Sequence, residues 1–157
     1  MLQRSPTYVV SMPAEDPIAN GLRKFLPEKL AYRLIRWKNV QFQRFFYRQS
    51  RVRPEKVKEK LLNLVRKQVG EDFDVEKHFT PTYNPWDQRL CLVPDADLFK
   101  AIRNGKAEVK TDHIDKITND GIKLKSGEVL EADIIVTATG LELKLLGGAE
   151  FFVDNYK

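Results

Sequence analysis

Cysteine, histidine and phosphate-cradling glycine loops are what this chain has least of. Its single cysteine, Cys91, cannot pair within the chain, and no succession of basic, apolar and small residues opens the sequence. A disulfide framework and secretion are therefore disfavoured, and a cytoplasmic location is expected. His78 and His113 stand singly, with no Cys-x-x-Cys beside them, so no metal site is expected and each histidine should lie at the surface or in a loop. None of Gly-x-Gly-x-x-Gly, Gly-x-x-x-x-Gly-Lys-Ser/Thr or Gly-x-Ser-x-Gly occurs, so nothing here cradles a pyrophosphate in the usual way or presents an elbow nucleophile. The longest apolar runs, around Phe45-Phe46-Tyr47 and Ile134 to Val136, fall far short of the roughly 18 residues of a membrane span.

What is present is a chain of 157 residues, enough for one compact domain with a real core, and an uneven distribution of charge. Leu22 to Val69 holds fifteen Lys or Arg against three Glu, a net +12, which leaves −7 for the rest of a chain whose total is +5. Such a basic segment can meet nucleic acid, an anionic membrane surface or a phosphate-bearing cofactor, or simply be solvated.

Leu2 to Val10 reads as a strand fragment interrupted at Pro6. Helical periodicity then runs from Pro13 to about Val69. Asp16 is the expected N-cap of a first helix with Pro17 at its first position, and Pro27-Glu28 opens a longer one. On that longer helix Leu30, Leu34, Trp37 and Phe45, with Ala31, Ile35, Phe42 and Phe46 one position over, make a broad apolar face expected to be core, while Arg33, Arg36, Lys38, Arg44 and Arg48 point elsewhere. Pro54 starts a third helix through Val57, Leu61, Leu64, Val65 and Val69, with Gly70 as its stop.

Phe79 to Arg89 is a proline-punctuated loop, followed by a short strand at Leu90, Leu92 and Val93. Asp95 or Asp97 is expected to cap a short helix ending at Asn104-Gly105. From Ala107 the period becomes two, in short runs separated by Asn119-Asp120-Gly121 and Lys125-Ser126-Gly127-Glu128, which is a β-meander. Glu131 to Gly140 closes the pattern, with Ile134, Ile135 and Val136 as a strand covered on both faces and Ala138-Thr139-Gly140 as a small-residue turn. A backbone or ligand can come close at such a turn.

Two sites could carry chemistry. Arg4 beside Ser5 is a guanidinium plus a hydroxyl at a strand edge, suited to gripping a phosphate monoester, with a solvated turn arginine as the plain alternative. Arg89 is a permanently charged fork where a Pro-flanked loop enters the sheet, suited to stabilising an anion that forms during a reaction; its plain alternative is a salt bridge with Asp87 or Asp95.

Taken in order, Leu2-Gln3-Arg4-Ser5-Pro6, the basic helical stretch, Pro85-Trp86-Asp87-Gln88-Arg89-Leu90, the meander and Asp133-Ile-Ile-Val-Thr-Ala-Thr-Gly140 resemble the middle of Baeyer-Villiger-type flavin-containing monooxygenases, in the branch of the ethionamide-activating enzymes. The resemblance covers Leu2 to about Gly148. It implies an α/β fold, a partial Rossmann-like NADPH-binding domain with a helical insertion. Residues 1–12 would supply a strand segment of that domain and 13–78 the basic insertion. Residues 79–148 would supply the rest with its meander, and 149–157 the start of the return to a flavin domain outside this sequence.

The resemblance further implies FAD and NADPH as cofactors, dioxygen as co-substrate and a small ketone or sulfide as substrate. Arg4 and Ser5 would match the positions that bind the 2′-phosphate of NADPH, and Arg89 the active-site arginine that faces the flavin and stabilises charge developed during oxygen transfer. Gln88, where many members carry lysine, would stand beside it on the cofactor side. Ala138, Thr139 and Gly140 would match the turn leading back toward the flavin domain, although here Leu141 follows where an aromatic residue is common. The family's two glycine-rich loops are absent, so the chain reads as an internal fragment, inactive alone. The competing readings are a small basic helical module that binds nucleic acid or an anionic surface, for which Arg33, Arg36, Lys38, Arg44 and Arg48 would be the contacts, and a nonfunctional remnant.

Overall fold

The computed structural model describes residues 1–140, 142–150 and 152–154. Leu141, named above for its departure from the family pattern, lies outside them, as do four of the last seven residues, so the expected return toward a flavin domain is described only in part.

The amino terminus forms two strands where one fragment was expected: β1 (Leu2–Gln3) and β2 (Tyr8–Met12), separated by a bend at Arg4 and Ser5. Pro6 explains the break, because it offers no N–H to a ladder and holds Ser5 away from helical backbone. Three helices follow, α1 (Pro17–Phe25), α2 (Glu28–Val52) and α3 (Pro54–Val69). The Asp16 carboxylate accepts from the Ile18 and Ala19 N–H groups at 3.0 and 3.1 Å, with Pro17 at the first turn, as expected of that cap. Gly70 ends α3 at φ +100°, a conformation that disfavours side chains. A short helix absent from the sequence reading, α4 (Val75–Phe79), is capped by Asp74 through the Lys77 N–H.

After the proline loop, β3 (Leu90–Pro94) pairs with β2 in parallel, from Tyr8↔Leu90 to Met12↔Pro94. The four helices therefore form the crossover between two parallel neighbours, as parallel pairing requires. Helix α5 (Asp97–Arg103) follows, and neither Asp95 nor Asp97 caps it through its side chain. Ala96 is the capping position, at φ 59°, and Asp95 is spent elsewhere: its carboxylate accepts from the Ala14 N–H at 3.0 Å and its own N–H donates to the Met12 carbonyl at 2.9 Å, tying the ends of β2 and β3 together.

Strand β4 (Lys110–Thr111) pairs in parallel with β1. The meander consists of β5 (Ile114–Thr118), β6 (Gly121–Leu124) and β7 (Val129–Glu131), antiparallel throughout. Gly121 is required there. Its φ is +151°, and an added Cβ would lie 2.0 Å from the Leu130 carbonyl oxygen across the ladder.

Helix α3 organises the core. Val57 and Leu61 pack with Tyr8, while Leu62, Val65 and Val69 join Val9, Val75, Phe79, Phe99 and Val109. Each such buried aliphatic or aromatic side chain contributes about 1.5–3 kcal/mol of transfer free energy. The architecture is α/β, with parallel strand pairs and a helical region, compatible with a partial Rossmann-like fold.

Two expectations are corrected. Ile134 to Thr137 forms no strand; Ile134 and Val136 are 81% and 85% exposed. A strand covered on both faces needs a neighbour to pair with and layers to cover it, and no described strand runs beside this stretch. The apolar face of α2 is not wholly core either. Ala31 is buried and Ile35 and Phe46 are half-buried, but Leu30, Leu34, Trp37, Phe42 and Phe45 face solvent.

Candidate functional site

Parallel pairing of β2 with β3 brings the residues just before each strand together. Arg4 and Ser5 sit in the bend ahead of β2, and Gln88 and Arg89 at the end of the loop ahead of β3, with Tyr8 opposite Leu90. Both predicted segments therefore precede the strand pair on the same side, and the residue that reaches the Arg89 backbone from ahead of β2 is Thr7. All four side chains are exposed, and none is held by a hydrogen bond or ion pair among the described residues. The salt bridge offered as the plain alternative for Arg89 is not made: Asp87 pairs with Arg51 of α2, and Asp95 serves the backbone at the other end of the strands.

What is held is the backbone of Arg89. Its carbonyl lies 2.9 Å from the Tyr83 hydroxyl and 3.2 Å from that of Thr7, and these hydroxyls are 2.8 Å apart. Two hydroxyl protons serve three contacts, so one hydroxyl donates to the other while its partner donates to the carbonyl. Tyr8 anchors the cluster from the core. Its hydroxyl donates to the Tyr83 carbonyl at 2.7 Å and its ring meets that of Tyr83 edge-on at 5.5 Å. Burial, and next the neighbouring Tyr83, push the Tyr8 phenol up to about 12, so it remains a donor.

The loop is fixed to α2 as well. Trp86 adopts φ 70°, uncommon for a bulky residue, and is held with its ring edge-on to Phe46 and Tyr47 at 6.3 and 6.4 Å. The adjacent Asp87–Arg51 ion pair closes the same joint. Sequence reasoning singled out Arg89 but missed Thr7, Tyr83 and Trp86, which hold it. The only signal they offered was their place in, or opposite, a proline-rich loop.

A second small network stands behind Arg4. The Gln3 amide donates to the His78 carbonyl at 2.7 Å and to the Thr111 hydroxyl at 2.8 Å, and Thr111 lies 2.8 Å from His78 Nδ1. The Thr111 hydroxyl accepts from Gln3 and still has one proton and one lone pair for Nδ1, so it can serve either tautomer of the His78 ring. Burial, and next the Lys77 charge, hold the His78 pKa below its usual value. The expectation of a surface histidine is therefore met by His113 but not by His78, which is buried under the Phe73 ring.

Ala138, Thr139 and Gly140 are exposed and lie outside regular structure, with no hydrogen bond joining them to either arginine segment. Two surface depressions, of about 400 and 410 Å³, lie on α3 around Lys60 and between α1 and α2 around Asn20, away from both segments. Among the described residues no group of His, Cys, Asp or Glu could hold a metal, and no helix is long and apolar enough to cross a membrane.

Over nearly its whole length the chain is a homologue of FAD-containing monooxygenases. Specifically, it is 55% identical over 155 residues to the FAD-containing monooxygenase EthA of Mycobacterium tuberculosis, 53% identical to the probable FAD-binding monooxygenase AlmA of Acinetobacter baylyi, and 48% identical to the putative FAD-containing monooxygenase MymA of M. tuberculosis. Each match covers 99% of this chain and 31 or 32% of the relative. The chain thus spans about a third of the length of the curated relatives it matches. No family model matches it, and no solved structure matches it.

Proposed function

We propose that this chain is the NADPH-side portion of an FAD- and NADPH-dependent monooxygenase that places one oxygen atom from dioxygen on a ketone, by Baeyer-Villiger insertion, or on a sulfide. The observation that supports this reading is the likeness of nearly the whole chain to FAD-containing monooxygenases, together with two exposed, unpaired arginine segments that both precede the paired strands β2 and β3. The division proposed with it is a strand segment at 1–12, a helical insertion at 13–78, the rest of the nucleotide domain at 79–148 and a return toward a flavin domain from 149. The remainder of a longer polypeptide would supply that flavin domain, and the site of action would be cytoplasmic.

The residues fit an extra phosphate. Arg4 offers a planar fork of donors and Ser5 a hydroxyl, both exposed at a strand end and neither engaged by another described residue. FAD, when bound, would activate dioxygen with electrons from NADPH; this chain's part is to bind, orient and stabilise charge. Arg89 supplies a guanidinium on a backbone held by Thr7 and Tyr83, and its exposed, unpaired side chain is free to reach negative charge that develops beside it. Gln88 extends the same edge with an uncharged amide, and Ala138 to Gly140 provide a small-residue passage between domains.

The test is made on a polypeptide of the relatives' length that contains this sequence. Arg4→Ala should raise KM for NADPH by roughly ten-fold or more while leaving KM for NADH nearly unchanged, the loss expected for a charge-assisted contact. Equal losses for both would remove Arg4 from the phosphate. Arg89→Ala should leave NADPH binding intact and lower oxygenated product by a factor on the order of a hundred; unchanged turnover would remove Arg89 from the active site.

A further inference from the structure

Helix α2 has two apolar faces, and the fold uses only one. The inner face carries Ala31, Ile35 and Phe46 and lies against the rest of the molecule. Leu30, Leu34, Trp37, Phe45 and Val52 recur at spacings of 4, 3, 8 and 7, which aligns them in a second stripe. All five are exposed, Trp37 by 65% and Phe45 by 62%.

Positive charge runs along that stripe. Arg33, Arg44 and Arg51 recur at spacings of 11 and 7, which sets them along one edge, and Arg48 falls within the stripe itself. Between Glu28 and Glu55 there is no acidic residue at all. Of the seven Lys and Arg on α2, Lys38 pairs with Asp16 and Arg51 with Asp87. Lys29, Arg33, Arg36, Arg44 and Arg48 have no ion pair or side-chain hydrogen bond among the described residues.

We propose that this outer face of α2 is a docking surface for an anionic lipid bilayer, lying in the plane of the headgroups. The helix is about 37 Å long at 1.5 Å per residue, and it presents what an interfacial helix needs: aromatic and aliphatic side chains to enter the acyl boundary, and arginines that snorkel to phosphates at its edge. The charge selects lipid over the other occupants. Covering the stripe with a protein surface that lacks carboxylates at matching positions would desolvate unpaired cations, which is costly, whereas anionic headgroups move to meet them. Nucleic acid would satisfy the arginines but leave Leu30, Leu34 and Trp37 wet. This surface is independent of the oxygenation proposed above.

Vesicle flotation tests it, because floating vesicles separate bound protein from aggregate. The 157-residue chain should float with vesicles of phosphatidylcholine mixed with phosphatidylglycerol and remain below with phosphatidylcholine alone, and recovery should fall as salt is raised. In a Trp86→Phe background the emission of Trp37, then the only tryptophan, should shift to the blue on binding. Arg33→Glu, Arg44→Glu and Arg48→Glu together should weaken partitioning by at least about 100-fold, at roughly five-fold per lost cation. Trp37→Ser should weaken it with the circular dichroism spectrum unchanged.

Equal flotation with neutral vesicles, indifference to the triple charge reversal, or a dimer in solution that buries Trp37 would overturn the proposal. So would equal affinity for a single-stranded oligonucleotide without a Trp37 shift. The second arm repeats flotation with a polypeptide of the relatives' length that contains this sequence. Retained binding supports the proposal, and loss of it would overturn the proposal, the stripe then being covered by that polypeptide itself.

Discussion

Helices α2 and α3 are adjacent, basic and amphipathic, yet they have opposite fates. Helix α3 buries Val57, Leu61, Leu62, Val65 and Val69, whereas α2, nine residues longer, buries only Ala31 and Ser50. The difference lies in their neighbours. Helix α3 lies over β2 with α4 and α5 beside it, and so meets apolar surface along its length, while α2 touches mainly α1 and α3. Periodicity tells which side chains share a face; it does not tell whether the fold brings anything to cover that face.

Leu62→Ala against Leu34→Ala is the sharpest way to break this comparison and carries the largest expected effect. Both remove the same atoms from a helix. Leu62 lies in the main core, where truncation leaves a cavity and costs about 2–5 kcal/mol. Leu34 is exposed, and its truncation should change stability by no more than about 0.5 kcal/mol. Urea midpoints of the two variants read the contrast directly, and similar losses would mean that α2 is covered in solution.

Tyr83→Phe asks how far the well-packed side extends toward the arginine segments. It keeps the ring against Tyr8 but removes the hydroxyl shared by Thr7 and the Arg89 carbonyl. A loss of about 0.5–1.5 kcal/mol is expected, since Thr7 can still reach that carbonyl. A change near zero would show that the loop is anchored chiefly by Trp86 and Asp87 from the α2 side.

The same contrast explains what was legible in the sequence. Local chemistry could be read: Asp16 and Pro17 start a helix, Gly70 ends one, and Asn119-Asp120-Gly121 turns the meander, because each acts within a few residues. Long-range supply could not. Ile134 to Val136 carry the apolar run of a buried strand, but without a partner edge their backbone has no ladder and their side chains stay wet. The place of Arg89 beside β3 was legible; its support by Thr7, 82 residues away, was not, since it depends on the parallel register of β2 and β3. His78 was misjudged for a related reason. Its partners Gln3 and Thr111 lie 75 residues before it and 33 after it, and meet only when β1 pairs with β4.

His78 also provides the mildest and most selective way to separate the two regions. Burial lowers its pKa in the folded protein, so as pH falls through the unfolded value of about 6.5 the unfolded chain takes up the proton first. Stability should be at its plateau above that pH and decline below it, and His78→Gln should flatten this part of the profile. Asp112, whose carboxyl is held below its usual value by the Ser126 contact and next by the His113 N–H, adds a loss only at more acidic pH, as its folded pKa is crossed. Lys110, raised to about 12 by Glu128 and Glu108, adds one only in strong alkali. The outer face of α2 is charged by Arg33, Arg44 and Arg48 and carries no histidine or carboxylate. Between pH 7.5 and 5.5 the urea midpoint should therefore drift downward while vesicle flotation by still-folded protein stays constant. A flotation profile that followed the stability profile would tie the two regions together and contradict the division between α3 and α2.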